Sequence, residues 1–147
     1  MNSMNDIVWF VNPKNDTLDN IVVRMREYCI PVLEAKNINI VFETDENLAA
    51  EKLSMEQRQH IYYIFKEAIN NMVKYAGTSQ AIIRMFKKGK MLVLHIEDNG
   101  KGFNVTAADN GNGLANMRKR AEMIHGQLQI RSAVGQGTVI RLEVSIA

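Results

Sequence analysis

The chain has 147 residues, 46% apolar and 23% charged, with 18 basic against 16 acidic side chains and a net charge of +2. These figures describe one globular domain with a sizeable core, and they argue against nucleic-acid or membrane-surface binding driven by bulk charge. No apolar run approaches the ~18–20 residues that span a bilayer, and a single cysteine, Cys29, cannot form an internal disulfide, which fits a reducing compartment.

The N-terminus, MNSMNDIVWF, has no basic region ahead of a long apolar stretch and so is not a signal peptide. Ile7 to Val11 form an apolar stub closed by Asn12-Pro13. Proline disfavours helical geometry in the residue before it, so a helix is expected to end there. The stub is too short to be a domain and reads as the tail of an upstream segment, with Trp9 and Phe10 expected at the surface. Asp16 or Thr17 is the expected cap of the next helix. Leu18, Ile21, Val22, Met25, Tyr28, Cys29, Val32 and Leu33 then recur at helical spacing to about residue 35, with Pro31 as a point of kinking.

Residues 38–43 (INIVFE) alternate and are β-branched, which predicts a strand. Ser54 and Gln57 form a capping box. The helix behind it, 55–76, should bury Ile61, Ile64, Phe65, Ala68, Ile69, Met72 and Val73 and stop at Gly77. Strands are expected at 79–87 and 91–98 around a Lys-Lys-Gly-Lys turn, then a loop over 103–112, a helix over about 113–125, and strands at 127–133 and 138–146. This order predicts a two-layer α/β sandwich, a mixed, mainly antiparallel sheet with helices on one face.

Four stretches carry chemistry, in fixed order: EAINNMVKYA (67–76), DNGKGF (98–103), GNGLANM (111–117) and GQGT (135–138). Glu67 and Asn71 lie one turn apart on a helix and Lys74 follows on the same side. An acid, a neutral oxygen and a cation so arranged suit magnesium phosphate, since magnesium takes few protein oxygens and keeps water and phosphate oxygens. Asp98 ends an apolar strand, where its carboxylate could accept hydrogen bonds from an exocyclic amine, and Gly100 and Gly102 let the backbone approach a flat ligand. Gly111-Asn-Gly113 runs into a helix whose first amides make an anion site. Taken singly, these are a solvated helix face, an Asn-Gly turn, a flexible loop and a hairpin turn. Their order is what gives them meaning. None completes a dinucleotide fingerprint, because Val105, Asn116 and Ile140 stand where a small residue is needed, and there is no Walker loop and no Cys/His metal cluster.

The ordered set resembles the Bergerat-type ATP-binding fold shared by type II topoisomerases, the heat-shock chaperone of ninety kilodaltons, mismatch-repair ATPases and sensor histidine kinases. Within it, residues 38–147 are similar to histidine kinase catalytic domains, and GLANMRKRAEMIHGQLQIRSAVGQGT is similar to the short-lid subgroup typified by nitrate sensors. The resemblance implies that ATP and magnesium are the cofactors. Asn71 would hold magnesium and Glu67 would act as base or orienter on the phosphoryl acceptor. Lys74 would contact phosphate. Asp98 would bind the adenine amine, with Gly100 and Gly102 shaping the pocket and Thr138 completing it. Gly111, Gly113 and Leu114 would present amides to the phosphates, and residues 103–112, including Phe103, Asn104, Asn110 and Asn112, would form the lid.

Two departures stand out. Tyr75 replaces a common histidine, and His125-Gly126 replaces Gly-Gly. The acceptor histidine is also missing. His60 lies two helical turns from Glu67, His95 is in an apolar strand and His125 ends a helix. The resemblance therefore implies an acceptor on an upstream dimerisation domain, with residues 1–15 the remnant of its last helix and linker, 16–147 the catalytic domain, and a response regulator as the further partner. It further implies a monomeric fragment in the cytosol, the cytosolic part of a membrane-anchored sensor. The competing functions are a free-standing serine kinase of the anti-sigma-factor type and a nucleotide-binding module without chemistry.

Overall fold

The computed structural model describes residues 9–74, 77–103 and 112–146. The helical spacing of the first half yields α1, Leu18–Glu34, and α2, Met55–Lys74. The α2 start is the expected capping box: the Gln57 amide donates to Ser54 Oγ and the Ser54 amide to Gln57 Oε1, both at 3.1 Å. The α1 start differs. Thr17 occupies the cap position without a side-chain cap bond. The first amides are satisfied by main chain instead, Leu18 N–H donating to Glu51 O at 2.8 Å and Asp19 N–H to Ala49 O at 3.3 Å. A distant segment thus does the work usually left to a local side chain. Pro31 lies inside α1.

The third helix, α3, is Asn112–Met123, so Asn112 belongs to a helix and not to the loop expected over 103–112. Its C-terminal turn is closed by Gly126 N–H to Ala121 O (2.8 Å) and His125 N–H to Glu122 O (3.1 Å), a Schellman pair. This places His125 at φ +55°, in the left-handed region that glycine usually fills.

Five strands follow the order β1-β2-β3-β5-β4: β1 Asn39–Thr44, β2 Gln80–Lys88, β3 Met91–Asp98, β4 Gln127–Ser132 and β5 Thr138–Ser145. β1 and β2 are parallel, joined by a crossover through α2, and the other pairs are antiparallel. Alternate residues on one face, such as Ile83, Leu94, Ile96, Ile140 and Leu142, are buried in one core with Ile21, Met25, Phe65, Ile69 and Met117 from the three helices. The other face carries Arg84, His95 and Arg141 in cross-strand register, paired with Glu43 (3.7 Å), Glu97 (3.1 Å) and Glu143 (3.5 Å). The continuous apolar core on one face is what puts the helices there.

Within the N-terminal stub Trp9 is partly buried and Phe10 buried, while Val11 is 62% exposed. Phe10 is only 3% exposed and packs against Tyr62 and Tyr63 at ring distances of 5.6 and 5.7 Å. Its carbonyl accepts a 2.7 Å hydrogen bond from the buried Arg58 guanidinium, which also donates to Leu53 O at 2.8 Å. The burial of Phe10 departs from the exposure expected of the stub because its partners, Arg58, Tyr62 and Tyr63, are remote in sequence.

Candidate functional site

The two long-range pieces of the site meet through the sheet. Asp98 ends β3 and Thr138 opens β5, and the antiparallel register sets them opposite each other, with Ala81 on the other side of Asp98. The turn after β3 is fixed by its own side chains. Asp98 Oδ1 accepts from Gly100 N–H at 2.8 Å. Asn99 Oδ1 accepts from the amides of Ser79 and Gln80, each at 2.9 Å, and Asn99 Nδ2 donates to Ser79 Oγ at 2.8 Å. A Cβ at Gly100 would stand 2.4 Å from Thr78 Oγ1, and one at Gly102 (φ +65°) 2.1 Å from Ala133 O. Gly102 therefore demands glycine, whereas a Cβ at Gly100 would displace the Thr78 side chain.

Over this turn lies an open cleft of about 440 Å³, a figure that includes the solvent space at its mouth. Its apolar walls are Ala68, Met72, Ile96 and Ile140, and its polar groups come from Asn71, Thr78, Asp98, Lys101, Gly102 and Thr138, with Phe103 at the edge. Asn71 on α2 and Asp98 on β3, far apart in sequence, therefore face one space. Burial pushes the Asp98 carboxyl above the usual carboxylate range; the Gly100 amide and the Thr78 hydroxyl pull it back down, and Glu97 adds a smaller upward push.

Glu67 opens onto a neighbouring recess of about 630 Å³ that it shares with Tyr28, Tyr63, Lys66, Asn70, Asn116, Met117 and Arg120. Gly113, in the first turn of α3, joins the two spaces: a Cβ there would lie 2.8 Å from Glu67 Oε1 and 3.5 Å from Asn71 Nδ2. The first and third motifs thus meet at a helix N-terminus, where backbone amides favour anions. Leu114 is buried in the core at 5% exposure, leaving only its main chain for a ligand. Lys74 is exposed at the end of α2 and lines neither space. Asn104, Asn110 and Gly111 lie outside the described residues, as does the side chain of Asn112.

The histidines sit away from this centre. His60 receives a 3.2 Å contact from Arg120, and burial followed by that guanidinium lowers its pKa, against a smaller upward pull from Glu56. His95 pairs with Glu97 on the open face of the sheet. Sequence reasoning passed over Thr78, Lys101 and Ser132. Lys101 stood inside a motif without a role, Thr78 reaches the site from the segment just before β2, and Ser132 reaches it through sheet register, which no local pattern announces.

Residues 56–147 match the family model described as histidine kinase-, DNA gyrase B- and HSP90-like ATPases. The chain belongs to that family. Solved structures share the fold of this ATPase-family domain. The Acinetobacter baumannii histidine kinase AdeS superposes with a TM-score of 0.72 at 16% identity, over 97% of this chain and 76% of that one. The catalytic domain of histidine kinase ThkA does so at 0.71 and 15%, over 88% and 92%. The histidine kinase domain of the Erythrobacter litoralis EL346 blue-light activated histidine kinase does so at 0.69 and 14%, covering 86% of this chain. The chain spans 61% of that domain's length.

Proposed function

We propose that this ATPase-family domain binds ATP with magnesium and transfers the γ-phosphoryl group to a histidine on a separate dimerisation segment, as the catalytic domain of a two-component sensor histidine kinase acting in the cytosol, with a response regulator downstream. The observation that carries the reading is the convergence of Asn71, Asp98 and Thr138 on one cleft that also has apolar walls, Ala68, Met72, Ile96 and Ile140.

The apolar residues Met72, Ile96 and Ile140 exclude water from a flat base, and the Asp98 carboxylate accepts from its exocyclic amine. The polyphosphate runs toward the α3 N-terminus, where the amides after Gly113 stabilise its charge. The donor set fits magnesium: Asn71 offers a hard amide oxygen, the Glu67 carboxylate stands next to it, and Gly113 leaves the space open. Bound magnesium would neutralise charge on the phosphate oxygens. Glu67 orients the acceptor imidazole and holds its proton. The positions of His60, His95 and His125, none in either space, agree with an acceptor on another segment.

The test is calorimetric titration of ATP with and without magnesium, together with labelling of an added histidine-bearing dimerisation segment. The account expects magnesium-dependent binding and acid-labile phosphohistidine on the added segment, with little on this chain alone. Label on serine of a partner would move the assignment to the anti-sigma type. Binding without any transfer would leave a nucleotide module only.

A further inference from the structure

Ser132, the last residue of β4, sits beside the base end of the cleft, and its hydroxyl makes three contacts. The Phe103 amide donates to it at 2.8 Å, it reaches the Gly137 carbonyl at 2.9 Å, and it meets Thr138 Oγ1 at 2.9 Å. A hydroxyl has one proton and two lone pairs. A carbonyl oxygen can only accept, so the Ser132 proton goes to Gly137. An amide can only donate, so one Ser132 lone pair is filled by Phe103. The remaining contact then has one polarity: Thr138 donates its only proton to Ser132. Thr138 is nearly buried, at 9% exposure, and lines the cleft. What it presents to a ligand is lone pairs alone.

The adjoining groups have the same polarity. Thr78 donates its hydroxyl proton to the Asp98 carboxylate, and the Gly100 amide donates to Asp98 Oδ1. The donors on the cleft, Asn71 and Lys101, come from α2 and from the turn after β3, not from this wall.

We infer that Ser132 is a positioning and specificity-determining residue: by taking the Thr138 proton it makes the strand-end wall formed by Thr78, Asp98 and Thr138 accept only, so that the site takes purine nucleotides carrying an exocyclic amine at the buried edge and rejects those carrying a carbonyl there. The inference rests on the nucleotide reading of the cleft. It adds a discrimination that does not depend on Asp98 alone, because an acceptor facing a carbonyl leaves both unpaired. Without Ser132, the Thr138 hydroxyl is released to rotate and donate.

The test compares ATP with inosine triphosphate, which places a carbonyl where ATP has its amine, by Kd on the full chain. Ser132→Ala lowers the preference for ATP over inosine triphosphate by about 3- to 10-fold, the scale of one neutral hydrogen bond. Ser132→Cys, which keeps the volume but is a poor donor and acceptor, does the same and carries the test if the alanine variant fails to fold. Ser132→Thr restores the wild-type ratio. Equal loss of affinity for both nucleotides in the Ala and Cys variants would mean that Ser132 only supports the fold, and would overturn the inference. Absence of nucleotide binding by the wild-type chain would defeat the reading beneath it, a distinct outcome.

Discussion

At the base end of the cleft the polar side chains are bonded to one another, and at the phosphate end they are not. Asp98, Asn99, Ser132 and Thr138 are tied by short hydrogen bonds to strand ends and tight turns. Glu67 and Asn71 stand on a regular helix, and among the described residues their side chains make no hydrogen bond. On the proposed function, the pre-bonded wall would fix which base fits, because its donors and acceptors cannot reorient. The unbonded oxygens would leave their lone pairs for a metal and a phosphoryl acceptor. Selectivity would then be built into the fold at one end, while the groups at the other wait for a ligand.

The contrast predicts unequal responses to mutation. Asn71→Asp places a second carboxylate beside Glu67, where the proposed function puts the phosphates. It should weaken magnesium-ATP by roughly 2–5 kcal/mol, the scale of an uncompensated charge at an interface, with no loss of melting temperature. Calorimetry and a thermal melt check both halves; unchanged affinity would break the contrast. Gly102→Ala attacks the rigid end. With φ +65° and a Cβ 2.1 Å from Ala133 O, it should destabilise the fold by at least about 2 kcal/mol, read from urea unfolding.

Asp98→Asn separates binding from stability. ATP affinity should fall by about 1.5–3 kcal/mol, the range for a hydrogen bond to a charged group. Because burial raises the Asp98 pKa in the folded state, the carboxyl contributes stability when protonated, below its unfolded value, and that contribution disappears as pH rises through the folded pKa. At neutral pH the ionised group is therefore a burden on the fold, and the asparagine variant should melt no lower than wild type. A clear fall in melting temperature would contradict this. The same shift means that ATP affinity declines on acidification at a pH above that at which an ordinary aspartate protonates. A titration of Kd against pH reads it.

The smallest effect lies away from the cleft. His125→Gly relieves a left-handed residue at the end of α3 and should stabilise the domain by about 0.5–1 kcal/mol, the steric relief being partly offset by glycine entropy. A chemical melt detects it, and nucleotide affinity should not change.

Much of this was legible in the chain. The capping box at Ser54 and Gln57, the helical stripe of α2 and the strands that end at Asp98 and start at Thr138 are local patterns, and local patterns decided them. That Asn71 and Asp98 share a cleft followed from a resemblance, because periodicity says nothing about which motifs meet. Several failures were of one kind. The Thr17 hydroxyl does not cap α1 because main chain at 49–51 takes its place, Phe10 is buried because its ring packs on Tyr62 and Tyr63, and Ser132 is central because register sets it beside Thr138. Each of these depends on a partner distant in sequence that leaves no local trace.

The most direct test of the shared cleft is an amide NMR titration with magnesium-ATP. The account predicts that resonances of Asn71, Gly100, Gly113 and Thr138 shift together and saturate at one ligand concentration. Saturation at separate concentrations, or shifts confined to α2 with β3 and β5 silent, would contradict it.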